Sequence, residues 1–229
     1  PVLFDPGAHW NYSMATDVLG GVIERAEGKA FAQVLQDRIF GPLGMVDTGF
    51  QVPADQQHRL TDAWHFHPDH KMVPFDSAAK SRWAKDRSFH SGGGGLVSTL
   101  ADYHRFCAML LGGGKLGDTR IISRKTLALM TANHLPGGGD LTQHSVGVFA
   151  EDDSAGAGFG LGFAVTVDAA RTGLPTTNGD YYWGGMFSTG FFIDPVECLS
   201  MVFMTQLMPS STYAVRREIK TVVHAGIDD

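Results

Sequence analysis

The hydrophobic period of this chain changes once along its length, and that change narrows the folds open to it. Up to about residue 132, apolar residues recur at helical spacing in short runs; from Phe159 onward they gather in strand-like blocks separated by turns. Residues 14–27 place Val18, Leu19, Val22, Ile23 and Ala26 on one helical face, with Gly28 as the stop. A second amphipathic run carries Phe31, Val34, Leu35 and Ile39 and breaks at Gly41-Pro42. From residue 50 to 89 the pattern is irregular, with 60–66 and 71–75 as two short strands around Pro68-Asp69. Ser98/Thr99 with Asp102 has the form of a capping box opening a helix to about Leu111, and Ser123 opens another through Ala132. Residues 159–167, 181–193 and 199–206 then read as three strands of an antiparallel meander, and a last helix covers 211–224. Helices, then a sheet, then a closing helix make an α/β or α+β plan. It divides into a mainly helical region, 1–150, and a region of strands with the C-terminal helix, 151–229. Three strands make a thin sheet for a chain of this size.

Composition excludes several classes of function. With 229 residues, 43% of them hydrophobic and 18% charged, the chain can bury a substantial core as one large domain or two small ones. The net charge of −6 and the lack of a Lys/Arg cluster argue against a nucleic-acid partner, and no apolar run is long enough to span a bilayer. Glycines cluster in runs at 92–95, 112–114 and 137–139, as loops and tight turns do. Cys107 and Cys198 read as buried thiols rather than a disulfide framework, although their pairing stays open. The chain starts at Pro1 rather than an initiator Met, and the expected location is the cytoplasm, with the periplasm open.

Several segments carry chemistry or imitate it. Trp183-Gly184-Gly185 interrupts an otherwise strand-like stretch of aromatic and branched residues. Such a glycine pair marks a twist, a bulge or a close backbone approach, and in an enzyme the approaching group can be a substrate carbonyl that needs bare N–H donors. Tyr12 precedes the first helix; a packing role is usual there, and a phenol acts as a base only where cations lower its pKa. Ser91-Gly92-Gly93-Gly94-Gly95 lacks the Gly-Lys-Ser/Thr ending of a phosphate loop and reads as backbone passing beneath a cleft. His65, His67, Asp69 and His70 resemble zinc ligands, but the proline and the polar setting favour a solvated loop, so no metal is expected. Ser77 and Lys80 match Ser-x-x-Lys on a segment with no apolar helical face, so the match reads as accidental.

Taken in order, six segments resemble the serine β-lactamase/penicillin-binding-protein superfamily, most closely the family VIII carboxylesterases. They are residues 4–12 (FDPGAHWNY) with 13–24 (SMATDVLGGVIE), 38–48 (RIFGPLGMVDT), 91–106 (SGGGGLVSTLADYHRF), the Trp183-Gly184-Gly185 strand with 191–195, and 202–211 (VFMTQLMPSS). The resemblance implies a β-lactamase-like fold, an antiparallel sheet flanked by helices beside a mainly helical region, and no cofactor. It implies that Tyr12 is the tyrosine that helps to deprotonate the nucleophile, and that Trp183, Gly184 and Gly185 form the substrate-binding third motif. By the same likeness, the backbone N–H of Met186 is an oxyanion donor. Met14 stands where β-lactamases carry an asparagine, and Trp183 where they carry a lysine that meets a substrate carboxylate. Small esters are therefore expected in preference to carboxylate-bearing β-lactams. The family's Ser-x-x-Lys and first two strands lie upstream of its tyrosine motif, so the nucleophile is expected on an upstream segment acting as partner, and the chain alone is expected to be inactive. A class C-like β-lactamase or D-amino-acid peptidase, and a non-catalytic binding module of the same fold, are the alternatives.

Overall fold

In the computed structural model, which describes residues 2–69, 71–85, 88–146 and 154–228, the first helical run folds as α1 (Ala15–Glu27). Gly28 ends it in the left-handed region, at φ 65°, and donates its N–H to Glu24 O. The apolar face expected of this helix lies open: Val18, Leu19 and Val22 are 67%, 54% and 57% exposed, and its one buried residue is Gly20. The second run does not break at Gly41-Pro42. Helix α2 (Phe31–Leu35) passes through a π turn, Gln36–Phe40, into α3 (Gly41–Leu43), and Gly44 (φ 66°) is the stop. The wide turn carries Gly41 N–H to Gln36 O, where a Cβ would stand 2.9 Å from that oxygen. Pro42, with no N–H to pair, falls at the start of the next turn, where proline is tolerated.

Strands β1 (Ala63–Phe66) and β2 (Met72–Asp76) form the expected antiparallel pair. Helix α4 (Leu100–Leu111) starts at Thr99, whose Oγ1 accepts Asp102 N–H at 3.3 Å. The capping box is only half made. The buried Asp102 carboxylate accepts Asp47 N–H at 2.7 Å and the Thr48 hydroxyl at 2.9 Å instead of turning back on its own helix. A short hairpin, β3 (Lys115–Leu116) and β4 (Thr119–Arg120), leads to α5 (Arg124–Met130), capped by Ser123 as expected, and then to the single turn α6 (Leu141–His144).

Two of the three expected strands are hairpins. Residues 159–167 divide between β5 (Ala157–Phe159) and β6 (Ala164–Thr166), with Gly160 N–H on Phe163 O at 2.8 Å closing the turn. After α7 (Ala169–Thr172), residues 181–193 divide into β7 (Tyr181–Gly184) and β8 (Gly190–Asp194), and β9 (Leu199–Phe203) completes an antiparallel sheet in the order β5-β6-β7-β8-β9. The glycines inside the apolar blocks thus reverse the chain where the block composition suggests continuity. Strand β10 (Leu207–Met208) pairs in parallel with β1, and the closing helix α8 (Val215–His224) starts four residues later than expected and ends where expected.

Helices cover both faces of the sheet. Phe191 packs on Tyr103 of α4, and its neighbour Phe192 stacks on His224 of α8; successive strand residues point to opposite faces. The main core gathers Leu43, Met45, Cys107 and Leu110 with Tyr181 and Ile193, from both sides of the expected 150/151 division, a boundary that itself lies outside the described residues. Cys107 is a buried free thiol; Cys198, also free, is exposed, because it lies in the turn between β8 and β9. No helix among the described residues is long and apolar enough to cross a membrane.

Candidate active site

A cleft of about 510 Å³ opens between the start of α1, the glycine run, the end of β2 and the β7–β8 turn. Tyr12 and Met186, far apart in sequence, both line it. The chain before Tyr12 is anchored by Trp10, which donates its N–H to His144 O and accepts Val146 N–H, at 2.9 and 3.0 Å. The Tyr12 ring stacks on Trp183, with centroids 6.0 Å apart and planes at 16°, and Trp10 and Phe159 pack edge-on around Trp183. Trp183 is therefore the bed on which Tyr12 rests. Aromatic stacking of this kind holds a phenol in one orientation at little entropic cost.

The floor is the Ser91–Gly95 run, and Gly92 and Gly93 are there for contact rather than looseness. A Cβ on Gly92 would stand 2.1 Å from Thr16 O, and one on Gly93 would stand 2.9 Å from Thr16 Oγ1. The run thus lies flush under the first turn of α1. Asp17 accepts the Ser91 hydroxyl and, at 3.2 Å, Gly93 N–H, and these bonds hold its carboxyl below the usual carboxylate range. The far wall is Phe75, Arg82 and Trp83. Trp83 Nε1–H donates to Gly95 O at 2.9 Å, which ties wall to floor.

Gly184 and Gly185 mark a close approach, but of the protein to itself. A Cβ on Gly184 would stand 2.3 Å from Arg216 Cζ, and one on Gly185 would stand 2.3 Å from Thr189 Oγ1. Arg216 donates Nε–H to Thr189 O at 3.0 Å and Nη2–H to Gly185 O, so this α8 side chain holds the β7–β8 turn from inside. Gly185 N–H on Thr189 O, at 3.0 Å, closes that turn and sets where Met186 lies. No sequence pattern linked Arg216 to the glycine pair; a lone arginine on a C-terminal helix gives no signal.

The serines divide clearly. Ser188, at φ 66°, is buried and donates to Leu207 O at 2.6 Å. Ser13 accepts Ala15 N–H at the mouth of α1, and Ser91 is committed to Asp17. Ser77 and Lys80 lie on an exposed 3-10 turn outside the cleft-lining set, bonded to each other only through Lys80 N–H and Ser77 O. Of the zinc-like residues, His67 Nδ1 and the Lys71 ammonium both meet Asp69, at 3.0 and 3.2 Å, while His65 lies on β1. His70 lies outside the described residues.

One ionic cluster had no sequence signal. Asp180, Asp194 and His224 hold their ligating atoms within 4.8 Å of one another under α8, the make-up of a metal site. The Lys220 ammonium, 2.5 Å from Asp180 and 4.5 Å from the Tyr182 ring centroid, supplies the cation there. His224 Nδ1 faces Lys220 O at 2.9 Å and Nε2 faces Asp194 at 3.4 Å. This cluster joins α8 to the back of the sheet.

With this geometry in hand, the comparisons fall into one group. The Beta-lactamase family profile matches residues 1–225. Esterase EstB of Burkholderia gladioli is 31% identical over 219 residues, which are 90% of this chain and 51% of that protein. The solved structure of EstCE1, described as a hydrolase with promiscuous acyltransferase activity, matches with a TM-score of 0.78 at 29% identity, covering 97% of this chain and 58% of its own. A simvastatin synthase mutant (LovD6) from Aspergillus terreus matches with a TM-score of 0.79 at 26% identity, over 98% of this chain and 57% of that one. The chain spans about half the length of the curated relatives it matches.

Proposed function

Since this chain belongs to the beta-lactamase family, whose relatives here are hydrolases and acyltransferases, we propose that it forms part of a serine carboxylesterase working on small esters through an acyl-enzyme. The observation that carries this reading is the meeting of Tyr12 and Met186 in one cleft. Acyl transfer needs a base and an oxyanion donor converging on one carbonyl carbon.

In this reading a serine outside these residues attacks the ester carbonyl, with an accompanying lysine and the Tyr12 phenol taking its proton. The tetrahedral oxyanion is held by the N–H of Met186 and that of the serine itself; preorganised donors of this kind contribute heavily to acyl transfer. Collapse expels the alcohol, which leaves with the proton, and water then cleaves the acyl-serine by the same route. Two surfaces suit a further segment: the exposed apolar face of α1, and the outer edge of β9, which has no strand partner among the described residues. Ser188 and Ser77 are poorly placed to serve instead, since Ser188 is committed to Leu207 O and Ser77 lies away from the cleft.

A short-chain chromogenic ester tests the proposal. The chain alone is expected to show no turnover, because this reading places the nucleophilic serine outside these residues. Turnover should appear when a Ser-x-x-Lys segment is supplied, in one polypeptide or by mixing. In that active form Tyr12→Phe should remove most of the rate and leave the thermal midpoint unchanged. Burst kinetics and full turnover from the chain alone, or a near-normal rate in Tyr12→Phe, would overturn it.

A further inference from the structure

We infer that Arg82 is an anion-recognition residue of this cleft, and that the esters accepted there carry a carboxylate at the far end of the acyl chain, as half-esters of dicarboxylic acids do. The inference rests on the proposed ester chemistry only for the word ester; the anion site stands on its own geometry. Among the described residues, two charged side chains line the cleft, Asp17 and Arg82. The Asp17 carboxylate is taken by Ser91 and Gly93 N–H. Arg82 is bound along one edge only: its backbone N–H and Nε–H reach Asp76 Oδ1 at 3.3 and 3.4 Å, both long. For Nη1 and Nη2 the described residues provide no acceptor within hydrogen-bond distance, and the side chain stays 49% exposed.

The guanidinium does not wander for want of those partners. Its Cζ lies 4.9 Å from the Phe75 ring centroid and 5.4 Å from that of Trp83, so two aromatic faces hold it. Both rings also pack on Phe187, at 5.4 and 6.3 Å, and Phe187 follows Met186 directly. The position of Arg82 is thereby coupled to the turn that presents the proposed oxyanion donor. A guanidinium oriented on aromatic faces in a cleft, its fork without an acceptor among the described residues, matches the bidentate geometry of a carboxylate. Its role in folding would need only the Nε edge and the stacked faces; the fork is left for a ligand.

Two arms test this. In the first, the chain as it stands is titrated with monomethyl glutarate while its tryptophan fluorescence is followed, since Trp83 lies against the guanidinium. Saturable quenching is expected, absent with methyl butyrate and absent in Arg82→Gln. In the second, whichever preparation hydrolyses neutral chromogenic esters is given two p-nitrophenyl esters, one of glutaric acid and one of valeric acid. Arg82→Gln should lower the ratio of kcat/KM for the glutarate to that for the valerate by about 10-fold or more, the loss of a charge-assisted pair. Arg82→Lys should recover part of the difference. Equal losses on both esters, or no Arg82-dependent binding of the half-ester, would overturn the inference even if ester hydrolysis is found. If no preparation hydrolyses the neutral ester, the reading of the preceding section fails, and the titration still decides for or against Arg82.

Discussion

At the scale of single residues, glycine does the work that motifs are credited with. Gly92 has no side chain because the Thr16 carbonyl occupies that space, whereas nothing lies within 4 Å of a Cβ built on Gly94. The two therefore separate contact from flexibility as the reason for the run. Gly92→Ala should force α1 away from the cleft floor and destabilise the chain by about 1–3 kcal/mol, the usual cost of overpacking. Gly94→Ala should be neutral or slightly stabilising, since it only restricts the unfolded chain. Urea unfolding of the pair checks this; equal midpoints would mean that the run is a flexible loop after all.

At the scale of elements, α4 is the strut on which the helical region meets the sheet, and its first turn is where it is fastened. The Asp102 carboxylate joins α4 to the 47–48 loop through two donors, Asp47 N–H and the Thr48 hydroxyl. Asp102→Ala strands Asp47 N–H, at about 1–3 kcal/mol for a donor left without a partner, whereas the Thr48 hydroxyl keeps Ser98 Oγ at 2.8 Å. It also removes a negative charge from the helix N-terminus. Asp102→Asn keeps an acceptor oxygen and should cost clearly less. Denaturant midpoints that place the two variants together would show that charge alone, not hydrogen bonding, fastens the helix.

At the scale of the whole molecule, stability should be sensitive to acid. Burial works against the charge of Asp140, but the Thr142 hydroxyl, Gly156 N–H and the Arg171 guanidinium at 2.6 Å outweigh it and hold its carboxyl below the usual range. Asp194 is lowered in the same way: burial is outweighed by Thr177, the Glu197 and Val196 N–H groups and His224. The unfolded chain therefore takes up these protons first as the pH falls. The stability they contribute is present above the unfolded carboxylate value of about 3.9 and lost as the pH drops through the lower folded values. Asp140→Asn should accordingly cost about 1–3 kcal/mol at pH 7 and less at pH 3, below the unfolded carboxylate value. A penalty equal at both values, measured by urea unfolding, would show that Asp140 does not titrate in this way.

The sequence by itself determined the change from helical to strand-like stretches, the caps at Thr99 and Ser123, and the stop at Gly28, because each depends on residues a few positions apart. Tyr12 and Trp183-Gly184-Gly185 were singled out from local composition and from likeness to a family, and neither source contains a distance. Only the tertiary structure decided that Tyr12 lies on Trp183, that Arg216 fills the space beside Gly184, and that the apolar blocks fold back as hairpins. It alone brought Arg82 to the cleft and gathered Asp180, Asp194, Lys220 and His224 beneath α8. Hydrophobic period is written in neighbouring residues and survives in any compact arrangement. Pairings between side chains distant in sequence arise only when packing closes the chain on itself, and a lone arginine or aspartate carries no mark of the partner it will meet.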